Sequence, residues 1–136
     1  MSLNKLRVYG RKGAGYHMAL YIKRIYEPAS EGDGMRILVD RLWPRGLSKE
    51  RAQLTLWMKE VTPSPALRTW FGHRPERFAE FRARYEAELA SLEVQPYLHK
   101  LKQWSEKDVV TLLYAARDPK INHAIILKQY IEQLLI

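Results

Sequence analysis

The chain has no cysteine among its 136 residues, and that one absence removes disulfides, thiolate nucleophiles and zinc–thiolate sites together. No apolar run approaches the roughly 18 residues that cross a bilayer, so no membrane partner is expected. Residues 1–17 lack the apolar segment of roughly 7–15 residues that marks a secretory signal. These absences fit a cytoplasmic protein. There is no His-Glu-x-x-His pair, no acidic calcium loop and no pair of histidines at ligand spacing, so neither a metal nor a cofactor is expected. A Gly-x-Ser-x-Gly elbow is also missing, which argues against a serine hydrolase.

Acidic residues are scarce in one region. Residues 1–17 hold Lys5, Arg7, Arg11 and Lys12 with no acid, so half of the +8 net charge lies there and +4 remains for the rest. That remainder favours acidic or phosphorylated partners only slightly. It falls short of the dense basic stripe of a nucleic-acid binder. The segment reads as a basic extension, from an upstream start or an added tail, with an accessory edge strand at Lys5–Tyr9 as the alternative. Its Gly10-x-x-Gly13-x-Gly15 spacing resembles a phosphate loop, but no Gly-Lys-Ser/Thr completes it, and strand-like sequence stands where the helix should begin.

What is present from residue 18 onward suits one domain. The composition, 46% apolar and 28% charged, is that of a globular chain long enough for a single core. Leu20–Tyr26 alternates as a strand, residues 28–34 make a turn, and Ile37–Asp40 is a short buried strand. Leu54–Met58 reads as a third strand or an irregular segment. Ser64-Pro65 caps a short helix over Ala66–Phe71 that Gly72 stops. Arg74-Pro75 opens a longer helix with Phe78, Phe81, Tyr85, Leu89 and Leu92 on one stripe. Pro96 begins another, with Tyr97, Leu98, Leu101 and Trp104 on one side. Val109–Tyr114 is apolar throughout, as a strand covered on both faces should be. Asp118-Pro119 then caps a last helix near Pro119–Leu135. Strands separated by helices predict an α/β fold: a single compact domain with a small, mainly parallel sheet flanked by helices.

Two strand ends carry the chemistry. After Ile37–Asp40 comes Arg41-Leu42-Trp43-Pro44-Arg45-Gly46, in which guanidinium forks and an indole stand just past a strand's carboxyl end, where open α/β sheets bind ligands. Arg36, Arg41 and Arg45 are candidate anion clamps, Trp43 a stacking surface, and Asp40 a proton carrier. The second end is Tyr114, then Arg117, Asp118 and His123, where a helix start beside Arg117 suits an anion. If the two strands are parallel, their loops share one edge of the sheet. The segment from Trp57 to His73 would form a wall, with Lys59, Arg68 and His73 as exposed ligand contacts. His73 and His123 have the range for acid–base work. Trp57 and Trp70 read as core.

Arg24-x-Tyr26-x-Pro28, Asp33-Gly34-x-Arg36, Leu38-Val39-Asp40-Arg41-Leu42-Trp43-Pro44-Arg45-Gly46, Trp57-x-Lys59, Pro63-Ser64-x-x-Leu67-Arg68 and Thr111-Leu112-Leu113-Tyr114-Ala115-Ala116 together resemble the YeaO-like branch of domain-of-unknown-function family 488, over about residues 20–135. The resemblance implies the same single α/β domain and brings no activity with it. Other branches resemble Leu-Leu-Cys-Ala-Glu followed by Asp-Pro-x-x-Cys-His-Arg. Here the matching positions are Tyr114, Ala115, Ala116, Asp118, Pro119, Asn122, His123 and Ala124. Both cysteines are replaced, so no thiol or redox role carries over.

Two functions compete on these grounds. The first is a pocket for a small phosphorylated or carboxylated ligand, with or without catalysis. The alternative is a nucleic-acid-binding or regulatory module that adds Lys49, Arg51, Arg74 and Arg77 on phosphates.

Overall fold

A computed structural model describes residues 18–134; the basic extension, with its edge-strand and glycine-loop readings, lies outside them. Four strands form one sheet: β1 (Leu20–Arg24), β2 (Met35–Leu38), β3 (Leu56–Trp57) and β4 (Val110–Tyr114), in the order β1-β4-β2-β3. Every pairing is parallel, with Leu20 and Met35 flanking Val110 and Ile37 opposite Leu56. β4 is central and buried along its whole length, which is why its sequence shows no polar alternation.

Among the described residues five α-helices accompany the sheet: α1 (Lys49–Ala52), α2 (Pro65–Phe71), α3 (Phe78–Leu89), α4 (Gln95–Lys107) and α5 (His123–Glu132). None among the described residues is long and apolar enough to cross a membrane. The main core joins one sheet face, through Ile37, Val110, Leu112 and Tyr114, to apolar residues of α2, α3, α4 and α5. The other face has a smaller cover. Leu38, Leu113 and Ile25 pack there against Leu47 and Ala52, from the loop after β2 and from α1.

A buried ionic cluster fastens that thinner cover. Arg36 pairs in register with Thr111, and its guanidinium meets Asp33 at 2.6 Å while donating to the Ala52 carbonyl at the end of α1. Asp33 also accepts from Lys23 and Ser30, and its carbonyl takes the Thr111 hydroxyl. Gly34 follows at φ +62, where an added Cβ would stand 2.2 Å from the Val109 carbonyl oxygen. Only glycine lets the chain enter β2 so close to β4.

Several elements differ from their sequence readings. Leu92 leaves the α3 stripe and is 89% exposed, because the helix ends at Leu89 and the 3.6-residue period ends with it. Arg74-Pro75 starts a single 3-10 turn, Pro75–Arg77, before α3. The last helix begins at His123, not at Pro119: Asn122 accepts from the Ile125 amide as the cap, whereas Asp118 accepts from Lys120 and Ile121 in the turn before it. Trp57 and Trp70 are half-buried, at the edges of the two clusters.

Burial opposes ionisation of Asp33, yet the hydrogen bonds from Ser30, Lys23 and Arg36 outweigh it and hold its pKa at about 2, below the ordinary 3.8. A depressed carboxylate stabilises the fold above its unfolded pKa and loses that contribution as pH falls through the folded value. The stability gap between the native chain and Asp33→Asn, read by urea unfolding, is therefore expected to hold above pH ~4 and to narrow by on the order of 2 kcal/mol as pH falls to ~2. A gap that ignores pH over that window would remove Asp33 from this role.

Candidate functional site

Because β2 and β4 are parallel neighbours, the loops that follow them leave the same sheet edge. The loop after β1 joins them, and α2 closes the remaining side. Together they surround a cleft of about 1050 Å³. Asp40, Arg41, Trp43 and Arg45 come from the β2 loop; Arg117, Asp118 and His123 from the β4 loop and α5; Arg68 and His73 from α2 and the turn after it. These sequence-derived candidates thus share one site.

Three others do not. Arg36 is buried against Asp33 and α1 on the loop-covered face, since its register directs it away from the strand end. Lys59 is outside the cleft lining, its ammonium 4.1 Å from the centre of the Trp57 ring. Tyr114 is 3% exposed in the main core, where burial raises its hydroxyl pKa. Conversely, the sequence reading passed over Arg24 and Tyr26, which line the cleft at the end of β1 and just past it. The alternating pattern carries the predicted strand through Tyr26, whereas β1 ends at Arg24 and its end sits at the cleft.

Asp40 and His123 form the site's most constrained pair. Asp40 Oδ2 accepts from the Ala115 amide at 3.0 Å, and its backbone carbonyl accepts from the Trp57 indole at 2.6 Å. His123 Nε2 stands 2.7 Å from the Val39 carbonyl and 3.1 Å from Asp40 Oδ1. A carbonyl only accepts, so Nε2 carries the hydrogen and directs it at Val39. Asp40 Oδ1 therefore lies 3.1 Å from the ring nitrogen with no aligned hydrogen bond. Tyr85 sets its edge against the His123 ring and donates to the Val61 carbonyl. Burial, with the Glu88 and Asp40 charges, pushes its pKa well above 10, so it stays a neutral donor.

The arginines divide into two groups. Arg24 donates to the Ala115 and Ala116 carbonyls and lies over the Tyr26 ring. Arg41 donates to the Pro63 carbonyl, tying the β2 loop to the segment that enters α2. Arg24 is committed to the scaffold, and Arg41 is engaged through one terminal nitrogen while its Nε is buried with no hydrogen-bond partner among the described residues. Arg45, Arg68 and Arg117 are exposed, and among the described residues their side chains make no hydrogen bond or ion pair. Trp43 is half-committed: its indole donates to the Leu47 carbonyl and its ring meets Trp57 edge-on at 5.4 Å.

The sequence profile of the inactive DUF488-N3 subclade matches residues 19–136. The chain belongs to this family. It is 44% identical to the uncharacterised protein YeaO of Escherichia coli over 117 residues, covering 86% of this chain and all of that protein. The uncharacterised proteins Mb3100c of Mycobacterium bovis and Rv3073c of Mycobacterium tuberculosis are each 41% identical over 108 residues, covering 79% of this chain and 89% of theirs. No solved structure matches it. In this DUF488-N3 member, Tyr114 and Asn122, at the two positions where the sequence resemblance implies cysteine in other branches, serve the structure. Tyr114 packs in the core, and Asn122 caps α5 while donating to the Asp118 carbonyl.

Asp40→Ala would strip the Ala115 amide of its only carboxylate partner, whereas Asp40→Asn retains an oxygen that can accept. Alanine is expected to cost about 1–3 kcal/mol and asparagine clearly less, measured by urea unfolding. Equal losses would show that the amide bond is not what Asp40 supplies to the fold.

Proposed function

We propose that the cleft binds a small anionic ligand, phosphorylated or carboxylated. The observation that carries this reading is the set of arginines whose side chains have no partner among the described residues, Arg45, Arg68 and Arg117, lining one cleft at the carboxyl edge of a parallel sheet. Guanidinium forks match phosphate and carboxylate geometry, and leaving several of them unpaired around one cleft raises its positive potential in the absence of an anion. Five arginines line the cleft, with Asp40 and Asp118 as its carboxylates. Asp118 is already occupied by the amides of its own turn, and one Asp40 oxygen by the Ala115 amide. The balance is positive.

The family's description as inactive supports binding over turnover, as does a cysteine-free chain whose corresponding positions serve the core and a helix cap. Asp40 and His123, fastened to the Ala115 amide and the Val39 carbonyl, would fix the shape of the site beside the ligand. The nucleic-acid alternative gains less support. Arg74 pairs with Glu76, Arg77 lies over Trp70, and Lys49 and Arg51 sit on α1 outside the cleft.

A thermal-shift screen of sugar phosphates, nucleotides and carboxylates tests the reading. A true ligand at 100 times its Kd should stabilise by about 2.7 kcal/mol, several degrees in Tm, and Arg45→Ala with Arg117→Ala should abolish the shift. If no anion shifts Tm, or the double variant responds as the native chain does, the reading fails.

A further inference from the structure

We propose that the ligand carries two separated anionic groups rather than one. This inference rests on the reading of the cleft as an anion site and goes further, because the unpartnered guanidiniums do not come from a single loop. Arg45 and Arg117 follow β2 and β4, which pair directly, so their loops are neighbours. Arg68 belongs to α2, which packs on α3 over the helical face of the sheet. Where the two walls join, the Arg41 guanidinium donates to the Pro63 carbonyl, and the Asp40 carboxylate stands beside it in the chain.

That junction matters electrostatically. Arg41 donates to a carbonyl through one terminal nitrogen, its Nε is buried with no hydrogen-bond partner among the described residues, and Asp40 Oδ1 is a buried acceptor with no aligned donor. The Asp40 carboxylate offsets the Arg41 guanidinium there, so the excess positive charge that favours an anion lies at the two walls and not between them. Size agrees with this division. Small-molecule pockets run to roughly 300–1,000 Å³, and a cleft of about 1050 Å³ holds a whole metabolite, far more than one phosphate. The apolar surfaces of Leu42, Pro63, Phe71 and Ile121 in the lining suit a neutral segment joining the charged ends. The ligand class is thus a small molecule ending in phosphate or carboxylate at both ends.

Isothermal titration of the full chain with linear α,ω-bisphosphonates and α,ω-dicarboxylates of increasing spacer length, each beside its monofunctional counterpart, tests this and separates the two acid types. The expected result is a preferred spacer at which the two-ended compound binds at least tenfold tighter than the one-ended compound. Arg68→Ala should remove that advantage while leaving one-ended binding within twofold, Arg68→Lys should keep part of it, and Arg51→Ala, outside the cleft, should change nothing. If one-ended compounds bind as tightly at every spacer, or the advantage is independent of spacer and survives Arg68→Ala, the two-ended ligand is wrong while the anion site stands. If no compound of either type binds, both fall.

Discussion

Parallel pairing to β4 is the constraint on which the rest of this molecule depends. β4 is buried on both faces and hydrogen-bonded on both edges, and β1 and β2 both pair with it in parallel, so all three release their loops at one edge. The polar sequences after Arg24, after Leu38 and after Tyr114 are far apart in the chain. They converge because β4 lies between the strands that precede the first two.

The unequal faces of the sheet follow from the same arrangement. Four helices cover one side with a large apolar core; the other is covered by a loop and a four-residue helix, too little apolar surface to hold by burial alone. There the chain uses Lys23, Asp33 and Arg36, with Arg36 also closing the carbonyl end of α1. A charge triad of this kind is stabilising when its hydrogen bonds are complete and its geometry close, and here each member has oxygen or nitrogen partners within 3.2 Å. Fixing this layer fixes the loop that carries Asp40 to Arg45, so a structural cluster on one face positions a candidate site at the edge.

Much of this was legible in the sequence. The unbroken apolarity of residues 110–114 announced a central strand, the stripe through Phe81, Tyr85 and Leu89 announced a core helix, and two strand ends rich in arginine announced the cleft. Charge alone could not sort the arginines. Arg36 and Arg45 look alike in the chain, yet strand register turns one toward Asp33 while the loop leaves the other in solvent. Caps were equally ambiguous: Asp118 and Asn122 are both good N-cap residues, and the packing of Ala124, Ile126 and Leu127 decides where α5 can start. Arg24 was missed because it reads as the end of an alternating strand, and only its position beside the β4 loop brings it to the site.

The central claim is that Arg45, Arg68 and Arg117 form the anion-recognising set while Arg24, Arg36 and Arg41 hold the scaffold. Proton–nitrogen NMR of the arginine Nε–H groups during titration with a phosphorylated ligand addresses it directly. Resonances of Arg45, Arg68 and Arg117 should shift together and saturate, with Arg36 and Arg82 unmoved. Saturable shifts confined to Arg74, Arg77 or Arg51, or no saturable shift at any arginine, would contradict the account.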